Sequence, residues 1–155
     1  YVYAPFTGAG EHEPLTTEDF AVGYAALGEK FDEQQAQEKL GKVMKQVIDK
    51  KTKASSYTYK YVIIGTKKQK ITSIRVFDPK YITMRGVSVG DSAARAVGQY
   101  GVPDAVVYGA GITGKTIYEY FLPTENKKQR LRFALDVDKD SRVQAIILEL
   151  QQVKK

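Results

Sequence analysis

One pattern of apolar residues occurs twice along the chain, and this repeat limits the fold more than any single motif does. Residues 71–77 and residues 143–149 both carry apolar side chains at their first, fourth and sixth positions and a small residue at the third. Each copy is preceded by a helical run that ends at glycine and by a Tyr-x-Tyr pattern, found at Gly41, Tyr59 and Tyr61 and again at Gly101, Tyr118 and Tyr120. Such self-similarity is typical of tandem structural units. The sequence therefore predicts an α+β fold of two tandem helix-plus-antiparallel-sheet repeats, with the helices packed on one face of the sheet.

The predicted units divide the chain into an arm and two halves. Residues 1–18 combine prolines and glycines with little periodicity, so we expect a flexible N-terminal arm. Residues 19–81 would form the first repeat and residues 82–155 the second, together one compact domain of ordinary length. Helices are predicted over 32–41, 43–48 and 92–100. Strands are predicted where β-branched and aromatic residues dominate, over 57–64, 71–77, 117–122, 131–137 and 143–150.

Residues that usually carry catalysis or bind metals are scarce in this chain. It contains no cysteine and one histidine, His12. Thiolate nucleophiles, Cys-ligated metals and disulfides are therefore excluded, and one histidine is too few for a histidine metal cluster. The acidic residues of the arm (Glu11, Glu13, Glu18 and Asp19) have nothing nearby in sequence to desolvate them. We expect a protein that is not an enzyme, with no catalytic residue, no metal site and no cofactor.

Residues 109–116 match the phosphate-binding loop Gly-x-x-x-x-Gly-Lys-Thr. In nucleotide hydrolases the backbone N–H groups of this loop surround the phosphates, and a helix begins at the loop. Here Lys115 and Thr116 are followed by alternating β-branched and aromatic residues and then by Pro123, a pattern that predicts a strand. A glycine-rich connection is therefore favoured over nucleotide binding.

The sequence Asp136-Val-Asp138-Lys-Asp140 resembles the start of a calcium-binding loop. Such a loop requires glycine at its sixth position and a bidentate glutamate at its twelfth. The chain has Ser141 and Ile147 there. An acidic hairpin turn is the better interpretation.

Residues 82–103 resemble the repeat signature of exported bacterial lipoprotein domains. The signature contains Gly-x-x-x-Gly-Asp-Ser, a short helix and Tyr-Gly-x-Pro, found here at Gly86, Gly90, Asp91, Ser92, Tyr100, Gly101 and Pro103. Those domains share the fold of β-lactamase inhibitor protein and of the small lipoprotein of the outer-membrane β-barrel assembly machine. The resemblance extends more loosely over residues 20–150. Departures are Gly98 inside the second helix, Lys42 where the family often has proline, and the lack of a lipid-accepting cysteine.

The resemblance implies a non-enzymatic, extracytoplasmic binding domain, either secreted or anchored to the membrane through a lipidated N-terminus. The absence of cysteine agrees with an exported protein. The chain begins with Tyr1 rather than methionine, and an arm over residues 1–18 would suit a tether. We expect the full gene to encode a signal peptide that ends near residue 1.

The face of the predicted sheet without helices is the first candidate binding surface. Alternation is expected to direct one set of side chains towards the helices: Tyr57, Tyr59, Tyr61, Ile63, Tyr118, Tyr120 and Leu122. The opposite face would then carry Lys60, Val62, Arg75, Glu119, Phe121, Arg132 and Ile147. Apolar residues inside a charged rim are typical of protein interfaces. We predict that another protein at the cell envelope binds this face; an ordinary solvated face is the alternative.

The basic composition offers a second hypothesis. The chain carries 24 Lys and Arg against 18 Asp and Glu, a formal net charge of +6. Basic clusters lie over 50–53, 67–70 and 127–130, and two of them fall in predicted turns that would converge at one end of the sheets. The alternative prediction is a protein that binds an anionic partner, namely a wall polymer, an anionic membrane surface or nucleic acid.

Overall fold

Apart from turns and a short 3₁₀-helix over Thr17–Asp19, the described residues, 14–109 and 116–153, of the computed structural model form ten strands and two α-helices. In chain order they are β1 (Ala21–Val22), β2 (Ala25–Ala26), α1 (Glu33–Leu40), β3 (Lys45–Asp49), β4 (Ala54–Thr58), β5 (Val62–Lys67), β6 (Lys70–Val76), α2 (Ala93–Tyr100), β7 (Ala105–Tyr108), β8 (Thr116–Pro123), β9 (Gln129–Val137) and β10 (Val143–Gln152). Strands β3 to β10 form one antiparallel sheet in the order β3-β4-β5-β6-β10-β9-β8-β7, and β1 pairs with β2 in a separate hairpin.

The prediction of an α+β fold built from two helix-plus-sheet repeats is wrong. The described chain is mostly β-sheet, with two helices of eight residues each, and eight strands form one large antiparallel sheet. The helix predicted over 43–48 is strand β3, in which Val47 pairs with Ser56 of β4. A short apolar run fits a helix or a strand equally well, so the pairing partner decides between them.

The strand predicted over 57–64 is interrupted by a tight turn. Strand β4 ends at Thr58, the N–H of Tyr59 donates to the carbonyl of Val62 at 2.7 Å, and β5 begins at Val62. The turn reverses the chain and resets the alternation of side chains. Val62 therefore lies on the helix-facing side, opposite Val76, whereas Ile63 lies on the other side, opposite Arg75.

Both helices begin and end where the sequence predicts. The Asp32 carboxylate accepts hydrogen bonds from the N–H groups of Gln34 and Gln35, and the Ser92 hydroxyl accepts one from the N–H of Arg95. Each helix stops at a glycine with positive φ, 89° at Gly41 and 85° at Gly101. Side-chain oxygens at N-caps satisfy otherwise unpaired N–H groups, and glycine adopts positive φ without strain.

The main core lies between the helices and one face of the sheet. Tyr100 of α2 stacks on Phe133 of β9, with ring centroids 4.3 Å apart, and Phe20 meets the same ring edge-on at 6.5 Å. The predicted inward tyrosines Tyr57, Tyr59, Tyr118 and Tyr120 are buried in this core, and Tyr61 and Leu122 are partly buried against it. On the opposite face a second, small cluster consists of Ile117, Ala134 and Ile147.

The described part of the predicted arm is held against the rest of the molecule. The Arg85 guanidinium contacts both carboxylate oxygens of the buried Asp19, at 2.9 and 3.0 Å, and donates to the carbonyl of Pro14 at 3.0 Å. Residues 1–13 of the predicted arm lie outside the described residues. Within the described chain, neither helix has the length and apolar character needed to cross a membrane.

Candidate anion-binding site

Three lysine-rich turns meet at one end of the eight-stranded sheet. The β3–β4 turn lies beside the β5–β6 turn, because Ala54 pairs with Lys67 and Lys67 pairs with Lys70. The β8–β9 turn lies at the same end, because β10 runs antiparallel to both β6 and β9 and its Gln152 pairs with Gln129. The register thus brings together all three basic clusters noted in the sequence.

We call this region the basic end; its nine lysines are all exposed. They are Lys30, Lys50, Lys51, Lys53, Lys67, Lys68, Lys70, Lys127 and Lys128. Arg130 and the carboxylates of Glu29, Glu33, Asp49 and Glu125 also lie at or beside this end, with Glu33 close to Lys53 and Lys68. Lysines therefore outnumber carboxylates at this end of the sheet.

The lysines of the basic end are available to a ligand. None of the four ion pairs among the described residues includes one of them, since all four use Arg85, Arg95 or Arg132. The Asp49 carboxylate accepts hydrogen bonds from the N–H groups of Thr52 and Lys51, which lower its pKa and hold it in the β3–β4 turn. The basic end therefore presents unpaired cations on short, ordered turns.

The β5–β6 turn fixes three of these lysines close together. Lys68 and Gln69 form its two-residue loop, with φ of 52° and 68°. Positive φ at both loop residues matches the twist of the flanking strands in a hairpin. The turn is therefore well defined although it lacks the glycine that usually marks such loops.

Sequence reasoning missed one lysine of the basic end. Lys30 stands outside the three clusters, but its backbone forms an isolated bridge with Lys70. No local pattern in the sequence indicates this contact, because it depends on how the segment before α1 packs against β6.

The predicted open-face residues do not all lie on one surface. Five of them occupy two adjacent rows across the sheet face opposite the helices: Arg75, Ile147 and Glu119 in one row, and Arg132 and Phe121 in the next. Lys60 is exposed in the β4–β5 turn. Val62 is buried in the helix-facing core, because the turn at Tyr59 shifts the alternation by one residue.

Charges at the centre of this open face are paired with one another. The Arg132 guanidinium donates to Glu119 at 2.5 Å and to Glu149 at 3.1 Å, and the arginine is 9% exposed. Next to it, Arg130 stacks on the ring of Phe121, 3.7 Å from the ring centroid, and donates to Gln151. Arg132, Glu119 and Glu149 are thus engaged with one another, so the open face offers a partner fewer unpaired charges than the basic end does.

The acidic residues at the β9–β10 turn accept hydrogen bonds from neighbouring residues of the same hairpin. Asp138 accepts hydrogen bonds from the N–H groups of Asp140 and Arg142, and the buried Asp136 accepts one from the Gln144 amide. Across the described ranges, no group of three or more His, Cys, Asp or Glu residues is arranged to hold a metal ion.

The sequence that matches the phosphate-binding loop falls mostly on residues 110–115, which lie outside the described residues. The chain after it forms strand β8, as predicted, and Tyr118 of that strand pairs antiparallel with Val106 of β7. A helix does not follow the loop, so the N-terminal helix dipole that assists phosphate binding is missing from this position.

Comparisons with known proteins find structural likeness only at a distance. No protein-family model matches the sequence, and no curated protein matches it. A cysteine-rich secretory protein from Staphylococcus aureus subsp. aureus Mu50 is similar in structure, with a TM-score of 0.45 and 14% sequence identity. The match covers 79% of this chain and 42% of that protein, so the chain spans less than half of the other protein's length.

Proposed function

We propose that this protein is a non-enzymatic, extracytoplasmic binding domain that binds an anionic polymer through its basic end. The observation that carries the proposal is the convergence of three lysine-rich turns at one end of a single antiparallel sheet. We infer the extracytoplasmic location from the resemblance of residues 82–103 to exported lipoprotein domains. Lysine side chains act as flexible point charges, which suits a partner with repeated negative groups and no fixed shape.

Binding of this kind draws its free energy from counterion release. Each phosphate of a polymer that a lysine neutralises sets free a condensed cation, so affinity falls as the salt concentration rises. For nucleic acids the slope of log affinity against log salt is negative, with a magnitude of roughly 0.7–0.9 per phosphate contacted. Lysines that bind the polymer will therefore reduce this slope when they are replaced, whereas lysines elsewhere will not.

Polyphosphate titrations at several salt concentrations test the proposal. We compare Lys51→Glu/Lys128→Glu, at the basic end, with Lys60→Glu/Lys139→Glu, which changes two exposed lysines at the opposite end of the sheet. Both variants lower the net charge equally. We expect the first variant to bind polyphosphate more weakly and with a slope reduced by about 1–2, and the second to keep the original slope. Equal losses in both variants, or no binding at low salt, would contradict the proposal.

The open sheet face supports a second candidate function, the binding of a protein at the cell envelope. The supporting observation is that five predicted residues lie in two adjacent rows, with Phe121 half-buried among charged neighbours. The exposed residue Arg75 is a better target than Arg132, whose charge is already paired. We expect the unchanged domain to capture a protein from an envelope extract, and the variant Arg75→Glu/Phe121→Ala to lose that protein. Equal recovery with both baits would exclude this surface.

A further inference from the structure

A cavity of about 540 Å³ opens at the basic end, on the helix-facing side of the sheet. Five apolar residues line it: Phe20, Leu27, Ile71, Leu131 and Leu150. Phe20 and Ile71 are buried, but Leu27, Leu131 and Leu150 are only partly buried. Cavities that bind small molecules measure roughly 300–1,000 Å³ and are lined mostly by apolar side chains. This cavity therefore has the size and lining of a ligand site.

The walls of the cavity are held by main-chain hydrogen bonds. On one side the N–H of Gly28 donates to the carbonyl of Ile71, and the N–H of Ile71 donates to the carbonyl of Glu29, each at 2.8 Å. On the other side Leu131 pairs directly with Leu150 between β9 and β10. Main-chain hydrogen bonds therefore fix the backbone on both sides of the cavity.

Three lysines stand at the cavity and no carboxylate belongs to its described lining. Lys67, Lys68 and Lys70 come from the β5–β6 turn and are exposed, and none of them takes part in an ion pair among the described residues. Thr72 and Gln129 add polar groups to the same lining. An apolar floor below a cationic rim is complementary to a molecule with one apolar chain and one anionic end.

We propose that this cavity binds a free long-chain carboxylate, with its chain against the leucines and its headgroup at Lys67, Lys68 and Lys70. The inference rests on the proposed function, because it uses lysines of the same basic end. It adds a second kind of ligand and a pocket for the apolar chain of that ligand. Removing the chain from water supplies most of the affinity, and the lysines select a negative headgroup.

Calorimetric titration with dodecanoate, below the concentration at which it forms micelles, tests the inference. We expect saturable binding at one site. Acetate carries the headgroup without the chain and is expected to bind at least about 100-fold more weakly. Dodecyl maltoside carries the same chain without a charge and is expected to bind about tenfold more weakly. Equal affinity for dodecanoate and dodecyl maltoside would overturn the role of the lysines.

Three variants and one control locate the ligand. Leu150→Phe and Leu131→Phe each add bulk inside the cavity and are expected to weaken dodecanoate binding about tenfold or more. Lys67→Gln/Lys70→Gln removes two rim charges and is expected to weaken it about tenfold. Ile63→Phe enlarges a side chain on the opposite face of the sheet and serves as the control, with unchanged affinity. Thermal unfolding checks that every variant is folded.

The outcomes separate this inference from the proposed function. Dodecanoate binding that is lost in Leu150→Phe, while polyphosphate binding persists, supports the cavity as a distinct site. Unchanged dodecanoate affinity in both cavity-filling variants would overturn the inference. A protein that binds polyphosphate but not dodecanoate contradicts the inference alone, and one that binds dodecanoate but not polyphosphate contradicts the proposed function alone.

Discussion

Arg132 shows how the surroundings of one residue determine its role. It was predicted as part of a binding surface, yet it is 9% exposed and lies between the carboxylates of Glu119 and Glu149. Three strands contribute to this group, since Glu119 belongs to β8 and Glu149 to β10. A buried charge flanked by two opposite charges stabilises the sheet only while all its partners are present.

Replacing Arg132 with alanine is expected to lower the free energy of unfolding by about 3 kcal/mol, because two neighbouring carboxylates would lose their counter-ion. Urea denaturation measures this change. Arg75→Ala is the matched control, since Arg75 is exposed on the same face and belongs to none of the described ion pairs. We expect that control to stay within about 0.5 kcal/mol of the unchanged protein. Similar values for both variants would contradict a structural role for Arg132.

Two partly or fully buried tyrosines differ in what their hydroxyl groups contact. Tyr120 donates to the carbonyl of Gly101 at 2.6 Å. The hydroxyl of Tyr24 is buried and has no hydrogen-bond partner among the described residues. A buried hydroxyl without a partner loses its hydration and gains nothing in return, whereas a bonded one contributes to stability.

Removing these hydroxyl groups is therefore expected to have opposite effects. Tyr120→Phe should lower the free energy of unfolding by about 1–2 kcal/mol, since the carbonyl of Gly101 is left unpaired. Tyr24→Phe should leave it equal or higher. Denaturant midpoints of the two variants measure the difference, and a larger loss for Tyr24→Phe would refute this assignment.

At the scale of elements, capping fixes where the short helices begin. Helix α2 has eight residues, and four of them, Ala93, Ala96, Val97 and Tyr100, are buried. The Ser92 hydroxyl accepts a hydrogen bond from the N–H of Arg95 at 3.1 Å. The first four N–H groups of a helix have no partner within it, and this cap satisfies one of them.

Ser92→Ala is expected to lower the free energy of unfolding by about 1 kcal/mol, the usual effect of removing a helix N-cap. Ser92→Asp supplies another acceptor at the same position and should retain the stability of the unchanged protein. Thermal unfolding compares the two. Equal losses in both variants would indicate that the hydroxyl acts through packing rather than through the cap.

At the scale of the whole molecule, buried tyrosines link stability to alkaline pH. Desolvation raises the pKa of Tyr24, Tyr59 and Tyr100 from 10.0 to about 12. Between these values the unfolded chain loses the phenolic protons while the folded protein keeps them. The unfolded state then binds fewer protons, so the free energy of unfolding falls as the pH rises.

We therefore expect stability to be independent of these tyrosines below about pH 10 and to decline between about pH 10 and pH 12. Urea denaturation across this range measures the decline. Burial also raises the pKa of Tyr57 and Tyr120. Tyr100→Phe removes one of these groups and should make the decline shallower. An unchanged slope in that variant would contradict the contribution of Tyr100.

The sequence alone determined features that depend on neighbouring residues. The structure confirms the predicted helix starts at Asp32 and Ser92, the helix ends at Gly41 and Gly101, and strands close to β6, β8, β9 and β10. Capping, glycine ends and strand propensity act over a few residues, so they can be read from the chain directly.

The tertiary structure decided everything that depends on pairing between distant segments. Pairing with β4 made residues 45–49 a strand, and the turn at Tyr59 placed Val62 on the other face of the sheet. Strands β8 and β10, on either side of β9, supply the carboxylates that pair with Arg132. Long-range pairing also brought Lys30 beside the basic turns and opened the lysine-rimmed cavity there. A shift of one residue in register exchanges the two faces of a strand, so these outcomes are set by hydrogen-bonded pairing and cannot be derived from local pattern.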